Sequence, residues 1–246
     1  MHYFISDVHL GAGDKEQSRQ VELRLVEWLK SIEEDAQTLF ICGDLFDFWF
    51  EYKYVVPKGF TRTLAMLTHL RERGVRVIFM TGNHDQWVGE YLCDECGVDI
   101  YTTPQAFTVA GKRLHVAHGD NLGVKKDPIL KLINKTFHSK TIRRLFASIV
   151  HPDLAMKFGH WWSRKSRLAH QKSNYSNGDR ARDYLIEWAS NRYKTEPFDC
   201  FIFGHLHQTL DYKREDGLRV MFTNDWSQNP HCIAIDNQGN INLKEI

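Results

Sequence analysis

The sequence predicts an α/β fold built as one domain with an insertion. In the first eighty residues, apolar runs of five or six residues alternate with amphipathic helical patterns. Strands are predicted at 2–6, 38–42 and 75–80, with helices at 17–32 and 61–73. Strands separated by helices are typical of sheets with buried parallel strands. A chain of 246 residues with 42% hydrophobic residues can bury one core, which excludes disordered, collagen-like and coiled-coil chains.

The second half of the chain carries strands in closer succession. Further strands are predicted at 106–109, 113–117, 200–203, 219–222, 231–235 and 240–243. Because this spacing leaves room for hairpins as well as for helical crossovers, we expect mixed sheets. Further helices are predicted at 128–137, within a basic segment at 125–172, and at 179–192.

The net charge of +1 conceals this strongly basic segment. Residues 125–172 contain twelve Lys and Arg against Asp127 and Asp153, a charge of +10, so the rest of the chain carries −9. Large apolar residues stand among the charges at spacings of three and four, which predicts amphipathic helices. We therefore expect an inserted helical lid that meets an anionic and apolar partner. A phospholipid surface, a lipid phosphate and nucleic acid all fit that description.

Composition indicates a cytoplasmic location. No uncharged apolar run approaches the roughly 18 residues of a membrane-spanning helix, and the first strand has no basic region before it and no cleavage site after it. The five cysteines are odd in number and form no disulfide framework, which favours reduced thiols. Cys93 and Cys96 lack two further zinc ligands at a suitable spacing, so they are interpreted as free thiols near the end of a helix.

Chemistry-bearing residues follow five of the predicted strands. The motifs are DVH at 7–9, GDLFD at 43–47, GNHD at 82–85, HGD at 118–120 and GHLH at 204–207. Ligands of open α/β sheets bind beyond the carboxyl ends of the strands, so we expect these loops to converge. Five of the thirteen histidines fall in the motifs beside Asp and Asn, a coincidence that isolated core or surface histidines do not explain.

The residue types in the motifs suit two divalent cations. Imidazole, carboxylate and amide donors suit Mn²⁺, the expected ion, or Fe²⁺ or Zn²⁺ better than Ca²⁺ or Mg²⁺ alone. Residues two apart on an extended chain point to the same side, which pairs Asp7 with His9 and His205 with His207. Asp44 is the natural candidate for a bridging carboxylate. Two ions about 3.5–4 Å apart promote attack by water on a phosphoryl group, so we predict hydrolysis of a phosphate ester or anhydride.

The pattern D-x-H, G-D-x-x-D, G-N-H-D, H-G-D, G-H-x-H resembles the calcineurin-like metallophosphoesterase superfamily over residues 7–207. This resemblance implies a four-layer α/β/β/α sandwich of two mixed β-sheets. It also implies two metal ions with separate ligand sets that share one carboxylate. The first set is Asp7, His9, Asp44 and His207, and the second is Asp44, Asn83, His118 and His205. His84, oriented by Asp85, is expected to stabilise charge on the phosphoryl group or to protonate the leaving oxygen.

Within that superfamily, the chain is most similar to the UDP-2,3-diacylglucosamine pyrophosphohydrolases of lipid A biosynthesis. The second motif continues as GDLFDFWFEY, close to that family's GDLF-x-x-W, and HGD is followed by Asn121 and Leu122. The basic segment at 125–172 matches that family's acyl-chain-binding lid. The resemblance implies cleavage of UDP-2,3-diacylglucosamine at the α-phosphorus, giving lipid X and UMP. It also implies that the protein acts at the cytoplasmic face of the inner membrane, where a basic and apolar lid suits an anionic lipid surface.

One position departs from that family, because this chain has His84 where the family usually has Arg. Substrate contacts are expected both from the motifs and from the lid. The motif residues are Asn83, His84 and His205. The lid residues are Ser166, which matches a substrate-contacting serine, and the expected phosphate or sugar contacts Arg167, His170 and Lys172.

Four alternatives stay open at this point. A related lipid-linked or nucleotide-linked pyrophosphatase would use the same site. A nuclease would use the basic segment to follow a phosphate backbone, but the apolar residues among the charges count against it. A non-enzymatic scaffold is disfavoured because all seven metal ligands are present. A protein phosphatase or cyclic-nucleotide phosphodiesterase has no need of a large apolar lid.

Overall fold

In the computed structural model, two mixed β-sheets pack face to face and helices cover both outer sides. The structure describes residues 1–120, 122, 140–173, 178–227 and 229–246. It does not describe the side chains at 140, 143, 166–173 and 178. The predicted helix at 128–137 lies outside the described residues. In the part of the chain that is described, no helix has both the length and the apolar character needed to cross a membrane.

The first sheet contains the three strands that the sequence predicts most clearly. Its strands are His2–Ile5 (β1), Thr38–Cys42 (β2), Arg76–Met80 (β3), Asp99–Tyr101 (β4), His231–Ile235 (β10) and Ile241–Glu245 (β11). Their order is β11-β10-β1-β2-β3-β4. β1 to β4 are parallel neighbours, whereas β10 pairs antiparallel with both β1 and β11. The carboxyl ends of β1, β2 and β3 therefore lie at the same edge.

Two long helices connect β1 to β2 and β2 to β3 and cover the outer face of the first sheet. They are α1 (Lys15–Ile32) and α2 (Thr61–Glu72). α1 begins at a capping box, in which the Asp14 side chain accepts from the Gln17 backbone and the Gln17 side chain accepts from the Asp14 backbone. Leu25 and Leu29 of α1 and Leu70 of α2 belong to the core cluster under this face.

The second sheet completes the sandwich. Its strands are Gln105–Val109 (β5), Lys112–Ala117 (β6), Cys200–Phe203 (β7), Leu210–Lys213 (β8) and Arg219–Phe222 (β9), in the order β5-β6-β7-β9-β8. The three central strands are parallel and the two edge strands antiparallel. Phe4 and Phe40 of the first sheet pack against Val116 and Ile202 of the second. Helix α6 (Gly178–Thr195) covers the outer face, which confirms the four-layer α/β/β/α prediction.

Between β6 and α6, where the insertion is predicted, the described residues form two helices. They are α4 (Lys140–Ile149) and α5 (Pro152–Ser173). They expose a row of large apolar side chains, which we call the lid surface: Leu145, Ile149, Leu154, Phe158, Trp161 and Trp162. The helical prediction for the basic segment is confirmed over 140–173, while the domain limits 1–246 and 125–172 stay predictions.

Three short elements have no bounds in the sequence prediction. They are the strands β4 and β8 and the helix α3 (Tyr91–Cys96). β4 has only three residues and is defined by its pairing with β3, and β8 is a half-buried edge strand with polar residues. Neither therefore has an apolar run of its own. α3 carries Cys93 and Cys96, both free, which confirms their interpretation as unpaired thiols.

Candidate metal centre

The five motifs converge at one edge of the sandwich. The Asp7 N–H donates to the carbonyl oxygen of Gly43 at 3.0 Å, which joins the loops after β1 and β2. The Gly204 N–H donates to the carbonyl oxygen of His118 at 3.0 Å, which joins the loops after β7 and β6. The His205 N–H donates to the Asp7 carboxylate at 3.0 Å and connects the two sheets. The convergence predicted from the strand ends is confirmed.

Backbone strain is concentrated in these loops. Among the described residues other than glycine, seven have a positive φ angle, and five of the seven are candidate metal ligands. The five are Asp7, His9, Asp44, His205 and His207, with φ between 50° and 70°. Each such conformation costs about 1–3 kcal/mol and persists only where the surrounding structure enforces it. Strain that coincides with polar side chains marks this edge as a functional site.

Two motif glycines allow close approach between the loops. A Cβ atom on Gly82 would lie 2.1 Å from Oδ1 of Asp44, and one on Gly43 would lie 2.3 Å from Nδ1 of His118. Gly43 also has a φ of 96°, which side chains disfavour. Any larger residue at these positions would displace a candidate ligand.

The first half of the centre contains Asp7, His9 and His207. Nε2 of His207 lies 3.5 Å from Oδ1 of Asp7 and 3.1 Å from Nε2 of His9. Nε2 of His9 lies 3.9 Å from Oδ1 of Asp7 and also 3.9 Å from Oδ2 of Asp44. Ligand atoms of Asp7, His9 and His207 all lie within 4.8 Å of one another. Two imidazole nitrogens and a carboxylate that face one point form a donor set for a divalent cation.

Asp44 connects this half to the second. Its Oδ2 lies 3.2 Å from Nε2 of His118, which in turn lies 3.2 Å from Oδ1 of Asn83. The ring of His205 stands 5.1 Å from the ring of His118. Since Oδ2 of Asp44 faces both His9 and His118, the geometry supports the prediction that this carboxylate bridges two ions.

The electrostatics favour positive charge at the centre. Burial alone would raise the pKa of Asp44, but His118 and His84 hold it well below its ordinary value. Burial alone would lower the pKa of His118, but the Asp44 carboxylate holds it well above the ordinary value. Burial lowers the pKa of His9 to about 3, so this ring keeps a lone pair for a metal ion. The buried carboxylates and the neutral imidazole of His9 therefore fit divalent cations, whose positive charge would balance the negative charge of the carboxylates.

Two candidate ligands are oriented through their second ring nitrogen. Nδ1 of His118 lies 2.9 Å from the carbonyl oxygen of Cys42 and donates to it, which leaves Nε2 for a cation. Nδ1 of His207 lies 3.4 Å from Oδ2 of Asp225. Partners of this kind fix the tautomer and the orientation of metal-binding histidines. Asp225 is absent from the sequence prediction, although it follows β9 and the same strand-end rule would have found it.

Asp85 has a different role from the predicted one. Its carboxylate accepts from the N–H groups of Gly82 at 2.8 Å, Phe46 at 3.2 Å and Asp44 at 3.3 Å, and its hydrogen bonds do not include the ring of His84. Burial, with repulsion from Asp44, raises the pKa of Asp85 to about 7. Asp85 thus holds together the loops after β2 and β3.

The ring of His84 is instead held by Asp47 and Ser163. Its Nδ1 lies 3.0 Å from the Asp47 carbonyl oxygen, 2.9 Å from Oγ of Ser163 and 3.7 Å from Oδ1 of Asp47. The ring stands 4.8 Å from that of His9, and the His84 N–H donates to Oδ1 of Asp44 at 2.9 Å. With Nδ1 engaged, Nε2 is the ring atom left for a reacting group.

The predicted substrate contacts divide into two groups. Asn83 and His205 lie at the centre beside His118. The other four are in α5, where the backbone is described but their side chains are outside the described part of the chain. These four are Ser166, Arg167, His170 and Lys172, and their contacts stay predictions.

A two-sheet sandwich with this donor cluster at its strand ends defines a metallophosphoesterase centre. The family model for calcineurin-like phosphoesterases matches residues 3–209. A UDP-2,3-diacylglucosamine hydrolase of Porphyromonas gingivalis is 35% identical, with 91% of this chain and 89% of that protein covered. One of Haemophilus influenzae is 25% identical, with 96% of this chain and 95% of that protein covered. The chain belongs to the calcineurin-like phosphoesterase family.

Proposed function

We propose that the chain hydrolyses UDP-2,3-diacylglucosamine at the α-phosphorus and releases UMP and lipid X. The observation that carries the proposal is a strand-end centre for two cations with an amphipathic lid helix in direct contact with it. Relatives that bear the name of this activity are similar over at least nine-tenths of the chain. The exposed apolar side chains of the lid suit a diacylated substrate better than a nucleic acid.

The ligand sets assign the residues to two ions. One would be held by Asp7, His9, Asp44 and His207, and the other by Asp44, Asn83, His118 and His205. When bound, two divalent cations activate water and neutralise charge on the phosphoryl group. Mn²⁺ is the proposed ion, with Fe²⁺ and Zn²⁺ as alternatives, because the donors mix imidazole with carboxylate.

His84 supplies the remaining chemistry from the protein. Its Nε2 is the ring nitrogen left for the reacting group, and with the ring protonated on both nitrogens Nε2–H would stabilise negative charge on the phosphoryl oxygens or protonate the leaving oxygen. Because the UDP-2,3-diacylglucosamine pyrophosphohydrolases that the chain resembles usually have Arg at this position, we propose that the histidine here performs the charge-stabilising role of that guanidinium.

The lid surface is the proposed contact for acyl chains and for an anionic membrane. Ile149 is 73% exposed and Trp161 is 55% exposed. Large apolar side chains that are exposed together to this extent are typical of interaction surfaces. Basic residues share these helices, and Nζ of Lys165 lies 5.3 Å from the ring centre of Trp161. Apolar side chains flanked by lysine and arginine are typical of helices that lie on anionic lipid. We propose that the protein acts as a peripheral membrane protein at the cytoplasmic face of the inner membrane.

The direct test is an assay of the full chain with UDP-2,3-diacylglucosamine, with and without Mn²⁺, followed by phosphorus NMR. The expected result is Mn²⁺-dependent formation of UMP and lipid X, and none with Asp44→Ala. Bis(p-nitrophenyl) phosphate and single-stranded DNA serve as comparison substrates. Rapid hydrolysis of the small diester without any turnover of the lipid would support the two-metal centre and contradict the proposed substrate. Release of nucleotides from DNA would favour a nuclease.

A further inference from the structure

The lid helix α5 reaches the active centre through three neighbouring residues. Gly159 and Ser163 are four apart and therefore share one face of the helix, and His160 stands beside them. All three contact the loop after β2 at residues 47–48. The lid is thus joined to the same loop that carries Asp44.

The contact at Gly159 fixes how the helix sits. A Cβ atom at this position would lie 2.2 Å from Cδ1 of Phe48, so only glycine permits the observed approach. Nδ1 of His160 lies 3.6 Å from Oδ2 of Asp47 in the same contact. The close packing turns the helix so that Ser163 points into the centre.

Ser163 is buried, with 1% of its surface exposed, and it contacts His84, the one motif histidine outside the two proposed ligand sets. Its hydroxyl donates to the carbonyl oxygen of Asp47, and its Oγ lies 2.9 Å from Nδ1 of His84. A hydroxyl that donates to a carbonyl keeps its lone pairs for an N–H donor. Nδ1–H of His84 therefore has two acceptors, one from the core and one from the lid.

We propose that Ser163 is a positioning residue for His84, so that the lid helix takes part in catalysis as well as in substrate contact. The hydroxyl accepts from Nδ1–H and holds the ring so that Nε2, which carries the second hydrogen of the imidazolium form, is presented to the phosphoryl group. A lid that is displaced from the loop at 47–48 leaves this ring with fewer constraints. The proposal rests on the phosphodiester chemistry proposed above and not on the identity of the lipid.

The test is a double-mutant cycle on hydrolysis of bis(p-nitrophenyl) phosphate with Mn²⁺. Ser163→Ala is expected to lower kcat about 10-fold to 100-fold, the usual cost of losing an orienting partner, with KM changed less than about twofold. In the His84→Ala background, the same substitution is expected to change kcat by less than about twofold, because its effect acts through the ring that is absent. Equal losses in both backgrounds, or no loss in the wild-type background, would overturn the proposal.

Two further variants separate positioning from folding. Ser148→Ala is the matched control, since Ser148 lies on α4 and its exposed hydroxyl donates to the carbonyl oxygen of Arg144. It is expected to leave kcat unchanged. Ser163→Cys keeps a weaker acceptor of similar size and is expected to recover part of the lost turnover. All variants are first compared for melting temperature and Mn²⁺ content, and a loss of kcat that follows either quantity would overturn the positioning role.

The failure of this proposal is distinguishable from a failure of the proposed function. If the wild-type chain hydrolyses the small diester but not UDP-2,3-diacylglucosamine, the substrate is rejected and the cycle still decides the role of Ser163. If the lipid is cleaved and the cycle is additive, the substrate stands and Ser163 has no positioning role.

Discussion

The strand-end centre and the lid helix α5 both contact His84, but they are built in different ways. At the centre, side chains such as Asp7 and Asp44 are buried, and the backbone that carries them is strained and bonded from loop to loop. In the described part of the lid, contacts with the core include Ser163 and the ring of Phe146 against Trp87, while large apolar side chains stay exposed.

This difference separates two kinds of residue. The centre is buried and strained, and hydrogen bonds between its loops leave its reactive groups little freedom. The loss of one of these groups should therefore remove turnover of every substrate. The exposed apolar side chains of the lid surface interact with whatever lies outside the core, so the effect of losing them, unlike that of losing the buried Ser163, should depend on the substrate. The predictions below test that separation, starting from the largest expected effect.

Asp44→Ala is expected to abolish turnover of both UDP-2,3-diacylglucosamine and bis(p-nitrophenyl) phosphate. The substitution removes the carboxylate that faces His9 and His118 at once. Steady-state assays with Mn²⁺ measure the effect. Retention of activity on either substrate would show that the centre is organised differently.

His84→Ala is expected to lower kcat about 10²-fold to 10⁴-fold, the span of a general acid or base, and to leave the metal ions in place. The same factor should be found for both substrates, because His84 acts on the phosphoryl group. Metal content by mass spectrometry is the companion measurement. An unchanged kcat would assign His84 a purely structural role.

Asp225→Asn is expected to weaken Mn²⁺ affinity about 10-fold to 100-fold, because the carboxylate orients His207 through its Nδ1. Burial opposes ionisation of Asp225, but its contacts with His207 and Ser227 lower its pKa to about 2. Calorimetric titration with Mn²⁺ measures the change. Asp216→Asn, at a surface ion pair with Arg214, is the control and should leave the affinity unaltered.

Trp161→Ser combined with Trp162→Ser is expected to raise KM for the acylated substrate at least about tenfold while sparing bis(p-nitrophenyl) phosphate. Both rings are about half exposed on α5 and are available to acyl chains. Leu23→Ser on α1, also an exposed apolar residue, is the control. Equal losses on the two substrates would instead indicate that the tryptophans stabilise the fold.

His115→Phe is expected to leave turnover unchanged and to alter only the pH dependence of stability. His115 lies within β6, three residues before His118, but it is buried among the rings of Trp188 and Phe198. Burial, which Arg192 reinforces and Glu196 opposes, lowers its pKa to about 4. A histidine that stays neutral among aromatic rings is structural.

The sign of that pH effect follows from the lowered pKa. Between pH 6.5 and about 4, the unfolded chain binds a proton at His115 that the folded chain does not, so wild-type stability falls as the pH falls. The shift corresponds to a loss of up to about 3 kcal/mol over this interval. Denaturant unfolding of the wild type and the variant at pH 7 and pH 4.5 measures it, and other titrating groups cancel in the comparison. Parallel losses in both proteins would contradict this account of His115.

The sequence predicts the convergence of the motif loops because each candidate ligand closely follows a buried apolar strand. Asp7, Asp44, Asn83 and His118 are placed by strands whose apolar runs are unambiguous, and parallel strands bring their ends to one edge. Asp225 stands three residues after β9, so the same relation between strand end and site applies to it. The strands β4 and β8 have little apolar character and depend on tertiary pairing.

The lid is less predictable for a physical reason. α5 contains Ser163, Ser166 and Ser173, and no local feature of the sequence says which serine faces the centre. That choice depends on how the helix is rotated, which in turn depends on the contact of Gly159 with Phe48. Such a contact joins residues more than a hundred positions apart.

The most direct test of the central claim is the Mn²⁺ stoichiometry of the metal-free chain, measured by calorimetric titration for the wild type and for Asp44→Ala. The account predicts two ions per chain in the wild type, with both sites weakened or lost in the variant because Asp44 is shared. A single site in the wild type, or two undisturbed sites in the variant, would contradict the bridged centre on which the proposed function depends.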